Sequence, residues 1–399
     1  MLRSEAVIDC SAISANVETV RTATTAAVMA VVKADGYGHG MLPAARAAVR
    51  GGASWLGVAH LDEALALRRA GFTQRTLAWL WTPQEAGALR DALAAGVDVS
   101  VSSQGHLDLV VATAAEVGTP ARVHLKADTG LSRNGATVAD WPELVTAAAK
   151  AAATGVIETA GIWSHLARSD EPDEPSNDLQ LARFHEALSV AAVLGVAPEV
   201  RHLANSAAIL TRPDMHFDLV RAGISLYGLS PVPERGQFGL VPAMTLRSHL
   251  ANVKRVPSGE GVSYGHRYVT AAETTLALVP LGYGDGIPRA AGGAASAGSH
   301  GGAANAGNRG GAASAAPVAI GGRRYPICGR VAMDQFVVDI GDAAAAIGDE
   351  VVLFGPGDSG EPLAQDWADA LDTIHYEVVT RIGARVPRTY LGDASGAGS

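Results

Sequence analysis

"AVVKADGYGHG", residues 30–40, decides how this chain is read. Small and β-branched apolar residues run up to Lys33 and stop. A Gly/Tyr/His turn comes next, with almost nothing bulky and apolar in it. Such a run reads as a strand buried on both faces. Lys33 then stands at the strand's last position, and Gly36, Gly38 and Gly40 let the backbone come close to whatever binds beside it.

The same rhythm continues outward from this strand. Beyond Ala27–Lys33, strands are expected at Trp55–Ala59, Leu77–Trp81, Val97–Ser102, Arg122–Lys126, Ile157–His165, Val200–Ala204 and Leu219–Ile224. Helices are expected between them at Leu61–Ala70, Gln84–Ala94, His106–Glu116, Pro142–Ala153 and Asp178–Leu194, with start signals such as Thr82-Pro83 and Ser103. Eight strands alternating with helices call for a parallel sheet, closed as a (β/α)8 TIM-type barrel or left open and doubly wound. The character changes near residue 240. Segments such as "RVAMDQFVVDI" and "DEVVLFG" are short, β-rich and separated by Gly, Pro and Asp. The expected organisation is a barrel over residues 1–240 and a mainly antiparallel β domain over 241–399, with one helix at Ala364–Leu371. Residues 290–316 are nearly all Gly, Ala, Ser and Asn, and are expected to be a disordered insertion in a surface loop.

Bulk properties narrow the function. A formal charge of −9 without a basic patch leaves no footprint for nucleic acid. No window reaches the roughly 18 apolar residues of a membrane span. Cys10 and Cys328 are the only cysteines, far apart, so neither a disulfide framework nor a metal site is expected. With no apolar leader in "MLRSEAVIDC", the expected location is the cytoplasm.

If the strands close into a barrel, catalytic residues should collect where the strands end. Lys33, Lys126 and His165 end the first, fifth and sixth strands; Asn205 and Ser206 follow the seventh; Arg221 lies on the eighth, before Gly223 and Ile224. A lysine held among other cations tends toward a lowered pKa, and its neutral amine can condense with an aldehyde. Ser206 with the amides of Gly223 and Ile224 would make a compact site for one phosphate. Pyridoxal 5'-phosphate (PLP) fits these parts, and so does a sugar-phosphate aldolase.

Here a resemblance enters. "AVVKADGYGHG" is similar to the PLP-lysine signature of the alanine racemase family. The similarity continues in "LKADTGLSRNG" (125–135), "WSHLA" (163–167), "NSAA" (205–208), "RAGISLYG" (221–228), "VSYGH" (262–266), "GYGDGIPR" (282–289), "GRVAMDQ" (329–335), "IHYEVVTRI" (374–382) and "RVPRTY" (385–390). It implies an N-terminal barrel, a C-terminal β domain, PLP and a homodimer with shared active sites. Lys33 would form the internal aldimine and act as base on one face of the substrate, with Tyr264, supplied by the other subunit, on the opposite face. Tyr37 would line the cofactor pocket. Ser206, Gly223, Ile224 and Tyr376 would hold the phosphate. Arg133 would pair with the substrate carboxylate, Met333 would contribute to the substrate pocket, and Tyr283 would sit at its entrance. Lys126 would be a carbamylated residue steadying Arg133, and His165 would orient an Arg221 set against the pyridine nitrogen.

The activity so implied is two-base interconversion of L- and D-alanine, supplying D-alanine for peptidoglycan. The alternatives are a racemase of broader specificity, for example for serine, a decarboxylase on the same plan, or a non-catalytic PLP-binding protein. Arg221 opposes the decarboxylase and the β domain opposes the binder. Three departures from the family pattern stand out: the insertion, Ala332 where many relatives have Cys, and "RAGI" in place of "RPGI".

Overall fold

The computed structural model describes residues 2–293 and 315–392. All but the flanks of the expected insertion at 290–316 lies outside the described residues. The chain forms two compact units: residues 11–36 and 41–241 make one, and residues 2–10, 37–40 and the described residues from 242 onward make the other.

β1 (Ser4–Asp9) belongs to the second unit, and the helix Cys10–Thr22 comes directly after it. Then come β2 (Ala27–Val31), β3 (Trp55–Val58), β4 (Arg75–Ala78), β5 (Asp98–Val101), β6 (Ala121–Lys126), β7 (Ile157–Trp163), β8 (Val200–His202) and β9 (Leu219–Ala222). These eight are parallel neighbours in the order β8-β7-β6-β5-β4-β3-β2-β9. Amides of Asp218 and Arg221 donate to the carbonyls of Arg201 and Ala204, at 3.1 and 3.0 Å, and bring β9 round to β8. The expected TIM-type barrel is therefore the observed one. β3, β5 and β9 are buried at every residue. Strands covered on both faces carry largely apolar runs, which is why they were legible, and the polar residues that interrupt them, such as Asp98 and Ser100 in β5 and Arg221 in β9, face the bore or the rim.

The helices start where their caps allow. Ser103 Oγ accepts from the amide of His106 at 3.3 Å, and the Thr82 amide donates to Glu85 at 2.8 Å. Asn16, on the first helix, is almost fully buried. Its Nδ2 donates to the carbonyls of Leu226 and Val241 at 3.1 and 2.9 Å, and its Oδ1 accepts from the amide of Val241 at 2.8 Å. One amide side chain thus ties down the segment by which the chain leaves the barrel unit.

The second unit is built on a nine-stranded sheet. Its spatial order is Asn252–Val256, Thr274–Val279, Phe336–Gly341, Arg323–Cys328, Pro317–Ile320, Glu350–Phe354, Met244–His249, β1 and Arg388–Leu391. All neighbours are antiparallel except the last pair, β1 with Arg388–Leu391. The helix Ala364–Leu371 lies where the sequence places it. Trp367 docks it, its indole N–H donating to the carbonyls of Leu353 and Pro317 at 2.8 and 2.9 Å.

Truncating Asn16 to Ala removes the partner of three backbone groups, one on the buried Leu226 and two on the partly exposed Val241. The expected loss is about 2–4 kcal/mol, or a Tm lower by about 5–10 °C. Calorimetry of Asn16→Ala against the unmodified chain checks this; an unchanged Tm would remove the latch from the account of how the barrel unit is closed.

Candidate active site

The site is built from the end of β2. The strand stops at Val31, two residues before the expected end, because Lys33 already begins a turn of opposite hand. Val32 donates to the Gly57 carbonyl at 2.9 Å, and the buried Tyr227 hydroxyl donates to the Val31 carbonyl at 3.1 Å. From Ala34 the backbone is left-handed, with φ of +52° at Ala34, +51° at Asp35, +62° at Gly36 and +54° at Tyr37. A left-handed turn of mostly non-glycine residues costs about 1–2 kcal/mol per residue and must be held from outside. Glu63 supplies the hold. Its Oε1 accepts from the amide of Ala34 at 2.7 Å, and its Oε2 accepts from Ala59 and His60 at 2.9 and 3.0 Å. Asp35 caps the other end, accepting from the amide of Met41 at 2.8 Å.

Three cations stand over two indoles. Lys33 Nζ lies 5.7 Å from the ring centroid of Trp79; Lys126 Nζ and Arg221 Cζ lie 4.2 and 4.9 Å from that of Trp163. The rings face charges through their negative π clouds, which offsets part of the mutual repulsion. Gly57 makes room for this floor, since a Cβ there would lie 2.9 Å from Trp79. Neither indole was singled out from the sequence. "WSHLA" contains Trp163, but only as part of a motif.

Crowding shows in the titration behaviour. Burial, then the charge of Arg133, pushes the Lys33 ammonium below its ordinary range, and Glu63 works against that. Burial, then Arg221 and Arg133, pushes Lys126 down to about 7. His165 falls well below its usual value through burial and the charges of Arg221, Arg133, Lys126 and Lys33, so it is neutral. Arg221 is lowered by burial to about 9 and stays protonated at neutral pH.

Arg221 is held by acceptors on every side. Its Nη1 donates to the carbonyl and to Nδ1 of His202, both at 3.1 Å. Its Nη2 donates to the carbonyls of Ser164 and Leu203 at 2.8 and 3.0 Å, and to Nδ1 of His165 at 3.2 Å. None of these acceptors uses Nε–H. Beside it, Ser206 Oγ gathers the amides of Gly223 and Ser225 at 2.8 and 3.4 Å and the Ser225 hydroxyl at 3.0 Å. Ile224, between these two residues, opens a short helical turn, and a helix's first amides have no partner within it. Arg133 is exposed, yet its charge reaches Lys33, Lys126 and His165.

The barrel unit therefore gathers Lys33, Lys126, Arg133, His165, Ser206, Arg221, Gly223 and Ile224. The remaining expected residues belong to the second unit. There the rings of Tyr37 and Tyr376 lie 6.4 Å apart, and burial raises the Tyr37 phenol above its usual range. Tyr264 is 69% exposed in a turn whose Ser263 hydroxyl donates to the Arg330 carbonyl at 2.6 Å. Tyr283 and Gly284 donate from their amides to Ala332 and Met333 at 3.0 and 2.8 Å, so the Arg330–Met333 segment touches both tyrosine loops.

A parallel barrel with a desolvated amine and a knot of cations at its strand ends, continuing into an antiparallel β unit, is the plan of a two-domain barrel enzyme. The comparisons make that class particular. Residues 8–231 match the family of alanine racemase N-terminal domains, and residues 243–390 match that of alanine racemase C-terminal domains. The protein named alanine racemase from Frankia casuarinae is 57% identical over 394 residues, 98% of this chain and 97% of that protein. Its namesake from Thermobifida fusca is 55% identical, with 98% of each covered. The crystal structure of alanine racemase from a D-cycloserine-producing Streptomyces lavendulae superposes with a TM-score of 0.91 at 53% identity, covering 98% of both chains. The chain belongs to the alanine racemase family, and its class is that of the isomerases.

Two substitutions test the local account. In Glu63→Gln the amide nitrogen brings a donor to a point where three amides already converge, and the charge that raises the Lys33 pKa is gone. The Lys33 amine should become reactive at lower pH than in the unmodified chain; reductive methylation across a pH series, read by mass spectrometry of the Lys33 peptide, measures it. A midpoint that stays put or moves up would sink the assignment. Ala34→Gly should leave Tm unchanged or raise it, because relief of about 1–2 kcal/mol of left-handed strain meets about 0.4–1 kcal/mol of added chain entropy. A drop would mean that the turn is not left-handed in solution.

Proposed function

We propose that the chain interconverts L- and D-alanine with PLP, through proton transfer on opposite faces of Cα. The observation that carries this reading is the depressed Lys33 amine among cations at the barrel rim, in a chain that matches alanine racemases almost from end to end. The residues present fit PLP. They offer an amine, the Ser206 hydroxyl proton and the first amide of the Ile224 turn for a phosphate, beside a Gly223 amide that donates here to Ser206 Oγ, and a guanidinium whose Nε–H is left over for a ring nitrogen. When bound, PLP supplies an electron sink that makes the substrate's Cα–H acidic.

The chain's own residues do the rest. Lys33, its neutral form favoured by burial, would hold the cofactor's aldehyde carbon until the substrate's amine takes its place there, and the freed Lys33 amine would then move the Cα proton on one face. Tyr264, contributed by a second copy of the chain, moves it on the other. Two groups are needed because a single base cannot reach both faces of a clamped carbon. Arg133 meets the substrate carboxylate. Arg221 has donors only, so it cannot take a proton from the ring nitrogen or give one up readily. That limits delocalisation and keeps the proton returning to Cα. Lys126, with a pKa of about 7, is neutral often enough to take up carbon dioxide as a carbamate, and an anion there would steady Arg133. For Tyr37, Tyr376, Tyr283 and Met333 the reading rests on their motifs. A cytoplasmic homodimer supplying D-alanine to peptidoglycan completes the proposal; among the described residues no helix is long and apolar enough to cross a membrane.

Chiral chromatography of L-alanine after incubation with the purified chain and PLP should show approach to equal amounts of D and L. Lys33→Ala should abolish both racemisation and covalent cofactor binding. Tyr264→Phe should retain the cofactor and slow proton transfer from L-alanine more than from D-alanine. Alanine remaining purely L with a covalently bound cofactor would replace the substrate, and equal slowing from both sides would overturn the two-base assignment.

A further inference from the structure

Behind Arg221 a line of polar side chains runs down the bore of the barrel, where layers of branched apolar residues are the norm. Arg221 Nη1 lies 3.1 Å from His202 Nδ1; His202 Nε2 lies 2.9 Å from His124 Nδ1; His124 Nε2 lies 3.2 Å from Asp98 Oδ2. Asp98 is the first residue of β5, at the end of the barrel away from the rim. All three inner residues are buried, at 1% exposure or less.

The protons in this line have one arrangement. Arginine only donates, so His202 Nδ1 must accept. The single proton of a neutral His202 then sits on Nε2 and points at His124 Nδ1, which must also accept. His124 carries its proton on Nε2 and gives it to Asp98. Two neutral imidazoles, each the Nε2–H tautomer, connect a carboxylate at one end of the bore to a guanidinium at the other. The other oxygen of Asp98 is engaged by Arg122 Nε at 3.2 Å, and Arg122 also pairs with Glu158 and Glu199 at 2.7 and 2.6 Å. Asp98 thus turns one oxygen to Arg122 and the other up the bore.

The backbone is shaped for it. The pairing of β6 with β7 slips between Val123 and His124, so that His124 faces Gly161. A Cβ on Gly161 would lie 2.2 Å from His124 Nδ1. A bulge and a glycine in a buried strand are made at a cost in strand stability, and here they clear space for one imidazole. An apolar pair would fill the same bore without any unsatisfied group to guard against.

We propose that Asp98 is a positioning residue for Arg221, acting through His124 and His202 to make His202 Nδ1 a strong acceptor and so fix the guanidinium's orientation. This rests on reading Arg221 as the residue that meets the cofactor ring. The consequence concerns fidelity. If Arg221 is loosened, the proton removed from Cα is added more often to the carbon of the former aldehyde. Water then releases pyruvate and leaves the cofactor as its amine.

The test uses the PLP-loaded chain. With 15N-labelled histidine, two-bond 15N–1H spectra should show His124 and His202 as neutral Nε2–H tautomers; a cationic or Nδ1–H His202 overturns the proposal. Asp98→Asn should keep the fold and the cofactor, and His124→Gln serves as a second variant should the first fail to fold. In either, racemisation events per cofactor lost to pyruvate formation should fall by about tenfold, the worth of one charge-assisted hydrogen bond. A lower Tm with that ratio within about twofold of the unmodified chain would mean a purely structural role, and the proposal would fail. If the unmodified chain racemises nothing, the functional reading fails, while the tautomer spectra, which need no substrate, still decide the relay.

Discussion

Like charges held together in a partly dry rim are the constraint to which the rest of the barrel answers. Arg221, Arg133 and Lys33 all bear on Lys126, Arg133 bears on Lys33, and burial raises the cost of each charge on Lys33, Lys126 and Arg221. Three devices make the arrangement tolerable. The indoles of Trp79 and Trp163 offer negative faces. Carbonyls of Ser164, His202 and Leu203 surround the one cation that cannot neutralise itself. The two lysines can shed their protons, and their lowered pKa values are the result. The same positive field suits a ligand bearing a phosphate and a carboxylate.

Holding an amine still in such a place needs a rigid backbone, and the chain uses unusual geometry to get it. The left-handed turn after Lys33 is strained on its own and is stable because Glu63 and Asp35 satisfy its amides from outside. Glu63 does a second thing with the same carboxylate, since its charge moderates the fall in the Lys33 pKa. Geometry and electrostatics at Lys33 are therefore linked through one side chain on the neighbouring βα unit, and altering either alters the other.

Much of this was legible in the sequence, for a physical reason. Strands buried on both faces announce themselves as apolar runs, so the barrel strands were found to within a few residues. The misses have reasons too. β1, "SEAVID", alternates buried with half-buried residues and so shows no apolar run, and its partners Met244–His249 and Arg388–Leu391 lie more than 230 residues away. β4 was placed two residues late, because "LAWLW" continues apolar past Ala78 where the structure has already turned. The handedness of the turn after Lys33 could not be read, since Ala34 and Asp35 are not residues that demand a positive φ. Of the site, charged and hydroxyl groups at strand ends stood out. Trp79, Trp163, His124 and His202 did not, because an aromatic or an imidazole inside a strand looks like ordinary core.

The hidden residues are the ones that give the visible ones their properties, and Arg221 shows why. Its position on β9 was plain, and its residue type alone argues against a site that protonates a ring nitrogen. Yet a lone buried arginine could swing, recruit water, or meet a ligand through any of its five N–H groups. Here both terminal nitrogens are committed to acceptors fixed by β7 and β8 and by the residues just after them. Only Nε–H escapes those contacts. Two of the acceptors are imidazole nitrogens, and each can accept only while its ring is neutral; burial together with the Arg221 charge enforces neutrality at both His165 and His202. The guanidinium thus helps to hold its own neighbours in the state in which they can bind it. That mutual dependence makes the charge at the rim a property of the barrel and not of one side chain.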